Sequence, residues 1–194
     1  MTIDEMLREV AKRTGAAPEK KPDEPVKQTQ TPKTAAPASV SPVPLITKPA
    51  IGLALAKEIA YCIEEAAAAM GVNVVIALAD EGGRLILLEA MDSSYIASIT
   101  AAQEKAYTAV ALRMPTHEAL KAARGGGLDG FTNGNGILML GGGYPVVYGG
   151  SVIGGIGVSG GTKEQDMALA RAGILYFEKR INNNTVKGAE QIGR

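Results

Sequence analysis

The segment from residue 137 to residue 166 constrains the fold most, because its apolar runs are separated by pairs of glycines. Such runs predict three short consecutive strands that lead into a final helix. Residues 145–148 and 151–158 predict two antiparallel strands, joined at Gly149 and Gly150 by a two-residue turn that tolerates positive φ. We therefore expect a β-hairpin here, not a parallel crossover.

The same segment contains the pattern G-x-G-x-x-G at Gly155, Gly157 and Gly160, which is also found in dinucleotide-binding folds. Such a fold needs a second parallel strand after the helix and an acidic residue about 20 positions further on. No apolar strand follows Phe177. We interpret these glycines as bulge and turn residues of strands.

The start of the final helix also argues against a bound phosphate. Thr162 predicts an N-cap, and Gln165 occupies the capping-box position, so the first free N–H groups have protein partners. Glu164 and Asp166 place negative charge in the first turn, where it suits the helix dipole and opposes an anion. A nucleotide site is not expected.

Composition excludes several classes of function. The 20 basic and 20 acidic residues cancel, so nothing predicts electrostatic capture of nucleic acid or of an anionic membrane. Cys62 is the single cysteine, which rules out an intrachain disulfide and favours a reducing, cytoplasmic setting. The N-terminus lacks the pattern of a signal peptide, and no apolar run reaches the length of a membrane span.

The N-terminal part of the chain divides into two segments. Residues 1–15 predict a short amphipathic helix whose apolar face would bind a partner, because an isolated helix of this length is marginal in water. Residues 16–45 are rich in proline and poor in large apolar residues, so they predict a disordered, extended linker. The apolar residues of the helix are Ile3, Met6, Leu7 and Val10.

Residues 46–181 predict a globular α+β domain, with an antiparallel sheet of about five strands and helices packed on it. The first helix would be capped by Thr47, the second spans residues 96–112, and a short third helix would be capped by Thr116 and reach about Arg124. Residues 182–194 form a C-terminal tail in this division.

Five motifs then resemble the GlcG/HbpS family, which includes the C-terminal domain of PduO-type proteins. They are ALADEGGRLILLEAMD, QEKAYTAVALRMPT, TNGNG, GGGYPVV and GGIGVSGGTKEQD, and they occur in order within residues 46–180. The resemblance implies a profilin-like sandwich, homo-oligomers from dimers to octamers, and association with haem or a corrinoid such as cobalamin. Members are sometimes described as haem-degrading.

The order of helix, linker and domain is similar to that of encapsulation peptides in bacterial microcompartment cargo. That resemblance implies shell proteins or other cargo as partners of the N-terminal helix. It also implies that the protein works in the lumen of a microcompartment in the cytoplasm.

Two side chains are candidates for a haem or metal ligand. His117, the only histidine, follows Thr116 in the first turn of the short helix, where the dipole favours the neutral imidazole that ligates metal. The alternative is an ordinary surface histidine beside a cap. Cys62 on the first helix is better explained as a small buried apolar residue.

A second candidate group would bind a small polar ligand if its members converge on one cleft. The alternative for its neighbours Glu104 and Lys105 is a surface ion pair worth less than about 1 kcal/mol. No pattern of residues suggests a nucleophile–base pair or a zinc site. The group consists of Glu104, Lys105, Thr108, Asn133, Tyr144, Glu164 and Asp166.

Three hypotheses for function follow. The first is a microcompartment cargo protein whose domain binds haem, a corrinoid or another small ligand. The second is an enzyme that acts on haem or on a small aldehyde or hydroxy-acid metabolite. The third is an oligomeric adaptor without catalysis, whose many copies of the docking helix add weak contacts by avidity.

Overall fold

The computed structural model of the chain describes residues 46–128, 131 and 135–192, with side chains described as far as residue 183. The N-terminal helix predicted with Ile3, Met6, Leu7 and Val10 lies outside the described residues, as does the linker. The described part contains helices α1 (Leu53–Met70), α2 (Ile96–Leu112), α3 (Thr116–Arg124) and α4 (Lys163–Ile192), and strands β1 (Val75–Asp80), β2 (Leu85–Ala90), β3 (Gly143–Tyr148) and β4 (Ser151–Ser159).

The four strands form one sheet in the order β2-β1-β4-β3, and every neighbouring pair is antiparallel. Strands β1 and β4 are central, with Val75 opposite Ser159. The predicted hairpin between β3 and β4 is confirmed, and its turn residues Gly149 and Gly150 have φ angles of 56° and 77°. The α+β prediction is therefore confirmed, with four described strands in place of about five.

Helices cover both faces of the sheet, because β1 is apolar on both of its sides. Ile76 and Leu78 belong to a core with α1 and α4, while Ala77 packs on the opposite face against α2. All three side chains are fully buried. A strand buried on both sides produces three layers, with α1 and α4 on one side of the sheet and α2 on the other.

The glycines of β4 allow α2 to approach the sheet at backbone distance. A Cβ atom at Gly155 would lie 2.5 Å from the Ala106 carbonyl oxygen, and one at Gly157 would overlap the Ala102 carbonyl oxygen. Both glycines therefore serve close packing within a strand. Our interpretation of them as bulge and turn residues was wrong in this respect, although they do not form a phosphate loop.

The third short strand that we predicted near residues 137–140 is not formed. Its backbone groups bond to threonine side chains: the Leu138 N–H donates to Thr108 Oγ1 over 2.8 Å, and the Leu140 carbonyl accepts a hydrogen bond from Thr116 Oγ1. Because these polar groups already have partners, the segment is satisfied without joining a β-ladder.

Helix ends agree with the sequence only in part. The capping box at α4 is confirmed, since Thr162 N donates to Gln165 Oε1 and Gln165 N donates to Thr162 Oγ1. Thr47 does not cap α1, because the helix begins only at Leu53. Ile51, which precedes the helix, donates its N–H to the Ile153 carbonyl oxygen of β4. Thr116 does not cap α3 either, because its hydroxyl bonds to the 140–143 segment.

The C-terminal boundary also differs from our division of the chain. Helix α4 continues without interruption to Ile192, so residues 182–192 extend the last helix of the domain.

Candidate functional site

A buried ion pair joins α2 to the start of α4. Lys105 Nζ donates to Asp166 Oδ2 and to the Val158 carbonyl oxygen, both over 2.8 Å, and Asp166 Oδ1 accepts from Gly161 N over 2.9 Å. The side chains are 0% and 5% exposed. Burial lowers the pKa of Lys105 and raises the pKa of Asp166, while the pairing opposes both shifts.

The segment of three glycines at 141–143 lies over this pair. At Gly142, φ is +113°, and a Cβ atom there would lie 2.9 Å from Asp166 Cβ and 3.1 Å from Lys105 Nζ. Only a glycine fits between the backbone and the charged groups at this distance. The pair is thus sealed beneath the surface, where it fastens two helices to β4.

A small cavity lined by Tyr107 lies on the outer side of α2. The cavity has a volume of about 260 Å³, and Glu104 lines it together with Asn135 from the TNGNG motif. A Cβ atom at Gly83 would lie 2.8 Å from the Tyr107 ring, so the ring rests directly on the β1–β2 turn. The remaining lining residues are Ala79, Gly83, Leu85, Gln103 and Gly136.

Two local interactions fix the walls of this cavity. Asp80 Oδ1 accepts hydrogen bonds from the N–H groups of Gly82 and Arg84, each 2.9 Å long, which holds the glycine turn against the ring of Tyr107. On the other side, Thr108 Oγ1 accepts a hydrogen bond from Leu138 N, which lies just after the TNGNG motif. The cavity is therefore built from side chains that are positioned before any ligand arrives.

A larger groove adjoins the cavity, since both are lined by Gly83 and Tyr107. Its volume is about 840 Å³, within the range of about 300–1,000 Å³ that small-molecule sites occupy. Lys48 and Arg113 are its cations, and Glu81 is its one carboxylate among the described residues. Its apolar wall is formed by Ile46, Pro49, Val110, Ala111, Val147 and Val152.

His117 lies away from this groove, beside Tyr144 of β3. The two ring centroids are 5.7 Å apart with an interplanar angle of 44°, and His117 Nδ1 is buried without a hydrogen-bond partner among the described residues. Burial is the main cause that lowers the pKa of His117; Glu118 opposes this shift, and Lys121 and Lys163 add to it. The imidazole is therefore biased to its neutral form.

The predicted site residues fall into separate places. Glu104 lines the cavity, Thr108 supports it from within the fold, and Lys105 and Asp166 form the buried pair. Tyr144 lies with His117 and has its pKa raised by burial. Glu164 is exposed at the start of α4, Cys62 is half-buried on α1, and Asn133 lies outside the described residues.

No group of three or more histidine, cysteine or acidic side chains with metal-binding geometry occurs in the part of the chain that the structure describes. Among the same residues, no helix is both long enough and apolar enough to cross a membrane.

Our sequence reasoning missed Tyr107, Arg113 and the Gly82–Gly83 turn as parts of a groove. Tyr107 lies between Glu104 and Thr108, both of which we had selected, and a large aromatic residue on the exposed side of α2 is a usable signal. Arg113 has a φ of 53° at the C-cap of α2, and it lines the groove. That position follows from the tertiary structure alone.

Fold and groove together define a small three-layer α+β domain with an open groove of mixed polar and apolar lining, which α2, the β1–β2 turn and the β3–β4 hairpin form together. Residues 51–175 match the family described as "Haem degrading protein HbpS-like", and this chain belongs to that family. The resemblance inferred from the five motifs is thereby confirmed.

Three proteins similar to this chain are described here in turn. A Citrobacter freundii protein described as "Uncharacterized 15.0 kDa protein in dhaT-dhaS intergenic region" is 42% identical over 132 residues, which cover 66% of this chain and 93% of that protein. The corrinoid adenosyltransferase PduO of the same organism is 36% identical over 115 residues, covering 57% of this chain and only 34% of PduO.

The third is a solved structure, a crystal structure of a PduOC:haem complex. It has 30% sequence identity and a TM-score of 0.62, and the alignment covers 66% of this chain and 94% of that one.

Proposed function

We propose that this domain binds haem or a closely related tetrapyrrole in the groove that meets the Tyr107 cavity. Membership in the HbpS-like family and the similarity to the PduOC:haem complex support a haem-related role. The observation that carries the proposal is the groove itself, which combines apolar walls with two cations and one aromatic phenol. A flat apolar ring system with two carboxylates is complementary to such a groove, because its ring would contact the apolar walls and its carboxylates would pair with the cations.

The residues present fit such a ligand. Haem iron in proteins is held by histidine, cysteine, methionine or tyrosine, and Tyr107 is the only residue of these types among those that line the groove. Lys48 and Arg113 would pair with the propionates. Haem, when bound, supplies an iron centre suited to one-electron and O₂ chemistry. The protein would contribute binding, orientation and exclusion of water.

Titration with haemin, followed by absorbance in the Soret region, tests the proposal. We expect a shifted Soret band for the whole chain, a changed spectrum for Tyr107→Phe, and an unchanged spectrum for His117→Ala. Circular dichroism confirms that each variant is folded. An absence of any shift with the unaltered chain contradicts the proposal, and a parallel titration with cobalamin asks whether a corrinoid is preferred.

His117 provides a second candidate site for iron. Its Nδ1 has no partner among the described residues, and its lowered pKa favours the neutral imidazole that ligates metal. Its side chain is 16% exposed, so binding there requires movement of Tyr144 or of the α3 start. If His117→Ala loses the Soret shift while Tyr107→Phe retains it, the iron ligand is His117 and not Tyr107.

We further propose that the protein is cytoplasmic cargo of a bacterial microcompartment, carried there by residues 1–15. Similarity to PduO and the sequence pattern of an amphipathic helix followed by a proline-rich linker support this. Deletion of residues 1–44 is expected to leave the domain folded and to abolish its co-purification with shells. A gentler variant, Leu7→Glu, should have the same effect on co-purification. Retention of both variants in shells contradicts targeting by this segment.

A further inference from the structure

A further cavity lies between α4 and β3, which is an edge strand of the sheet. Its volume is about 220 Å³. Drug-sized ligands occupy sites of about 300–1,000 Å³, so this cavity has room for about one ring. Of its described lining residues, only Val147 also lines the larger groove. The cavity is therefore separate from the site proposed for haem.

Most of the lining of this cavity is apolar. Ile174 and Phe177 of α4 are buried and belong to the core that α1 and α4 form on one face of the sheet. Packing from beneath holds these two side chains in place, so this part of the cavity is rigid before a ligand binds. A ligand must present an apolar body to such a surface. The apolar lining residues are Pro115, Pro145, Val147, Ile174 and Phe177.

Two opposite charges line the cavity from α4. Arg171 and Glu178 are seven positions apart, so about two turns, or about 10 Å, separate them along one face of the helix. Both residues are exposed, and neither forms an ion pair with another described residue. The cavity therefore presents a cation towards one end and a carboxylate towards the other.

Tyr144 of β3 adds a phenol beside the cation. Burial raises the pKa of Tyr144; the charge of Arg171 opposes that rise, and the charge of Glu118 adds to it less strongly. The guanidinium therefore lies near the phenol, and the phenol stays protonated. The ring of His117 packs against the same tyrosine, with 5.7 Å between the ring centroids. A protonated phenol and a guanidinium are both hydrogen-bond donors, which together suit an anion.

We propose that this cavity binds a small carboxylic acid whose body is a single aromatic ring. Arg171 and the Tyr144 hydroxyl would hold the carboxylate, since a guanidinium matches a carboxylate in shape and charge. A rigid ring fits the apolar walls and loses little conformational freedom on binding. Glu178 would accept a hydrogen bond from a hydroxyl or amino group at the opposite end of the ring and would repel a second carboxylate. The assignment does not rest on haem binding.

Calorimetric titration of the whole chain with 4-hydroxybenzoate, in the absence of haemin, tests the proposal. A ligand of about ten non-hydrogen atoms should bind with a Kd between roughly 10 µM and 1 mM. The amide 4-hydroxybenzamide has nearly the same shape without the charge, and it should bind about fivefold or more weakly. An absence of binding at concentrations well above this range overturns the proposal, as do equal Kd values for the acid and the amide.

Arg171→Gln tests whether the carboxylate is bound in this cavity. Because Arg171 is exposed, the variant should fold, which circular dichroism checks, and its affinity for 4-hydroxybenzoate should fall by about fivefold or more. Lys179→Gln is the matched control, since Lys179 is an exposed cation of the same helix that does not line the cavity. Equal affinities for the two variants contradict binding at this site.

A charge reversal at Glu178 tests the orientation of the ligand. Terephthalate has a second carboxylate in place of the hydroxyl group, so the unaltered chain should bind it more weakly than 4-hydroxybenzoate. Glu178→Lys should shift the ratio of the two affinities towards terephthalate by about fivefold or more, because an attraction replaces a repulsion. An unchanged ratio contradicts the placement of Glu178 at the far end of the ligand.

Discussion

Lys105 Nζ lies 2.8 Å from Asp166 Oδ2, and this ion pair has almost no contact with solvent. Its partners come from α2 and the first turn of α4, which are distant in sequence and meet near the C-terminal end of β4, at Val158. Hydrogen bonds to the Val158 carbonyl oxygen and from Gly161 N complete the shell around the charges. Removal of the ion pair should therefore change the stability of the fold more than it changes ligand binding.

The first prediction concerns this pair. Lys105→Met leaves the Asp166 carboxylate buried without its cation, and loss of one partner of a buried pair costs about 3–5 kcal/mol of unfolding free energy. The double variant Lys105→Met with Asp166→Leu should recover much of that loss. Urea denaturation measures both values, and a Lys105→Met variant as stable as the original protein contradicts the assignment.

The second prediction concerns the close approach of α2 to β4. Gly157→Ala places a methyl group into the Ala102 carbonyl oxygen, so α2 must shift, at a cost of about 1–3 kcal/mol or more. Gly52→Ala is the matched control, because its φ is −86° and no atom lies within 4 Å of the added group. Thermal unfolding should separate the two variants clearly. Equal melting temperatures show that the helix has room to move.

The third prediction follows from the lowered pKa of His117. The folded protein binds a proton at His117 less readily than the unfolded chain, whose histidine has a pKa of about 6.5. The contribution of His117 to the free energy of unfolding is therefore fully present above about pH 6.5. It is lost as the pH falls from this value through the lower pKa of the folded state.

Denaturation of the unaltered chain and of His117→Gln between about pH 7.5 and 5 measures this effect. The unaltered chain should lose stability relative to the variant as the pH falls. A constant difference between the two proteins across that range contradicts a lowered pKa.

The fourth prediction tests the cations of the groove. Arg113→Asn retains a residue that tolerates the left-handed C-cap of α2 but removes the charge. If Arg113 binds a propionate at an exposed site, haemin affinity should fall by roughly two- to fivefold, which corresponds to about 0.5–1 kcal/mol. Arg124→Asn, at the exposed end of α3, serves as the control. Equal affinities for the two variants remove Arg113 from the binding site.

Much of the fold could be predicted because local chemistry and final structure agree there. Helix α2 was predicted over residues 96–112, the range that the structure shows, since its apolar spacing is regular and Pro115 follows shortly after it. The turn at Gly149 and Gly150 and the capping box at Thr162 depend only on neighbouring residues, and both are confirmed. Errors occurred where a side chain had a distant partner, as for Thr116.

The candidate site was less predictable than the fold. Glu104 and Thr108 were chosen from a family motif, and the structure places them at the wall and the support of one cavity. Lys105, between them, turns inward to Asp166, and Tyr144 lies at a different part of the surface with His117. Neighbours on a helix point in different directions, so a motif does not show which of its members share a pocket.

By itself, the amino-acid sequence determined the range of α2, the antiparallel hairpin and the family, because these depend on local spacing and on residue type. The tertiary structure decided that Lys105 is buried, that Gly155 and Gly157 admit a helix backbone, and that Tyr107 lies where the small cavity meets the larger groove. These features depend on which distant segments come into contact, and steric fit between packed layers selects those contacts only once the whole domain has folded.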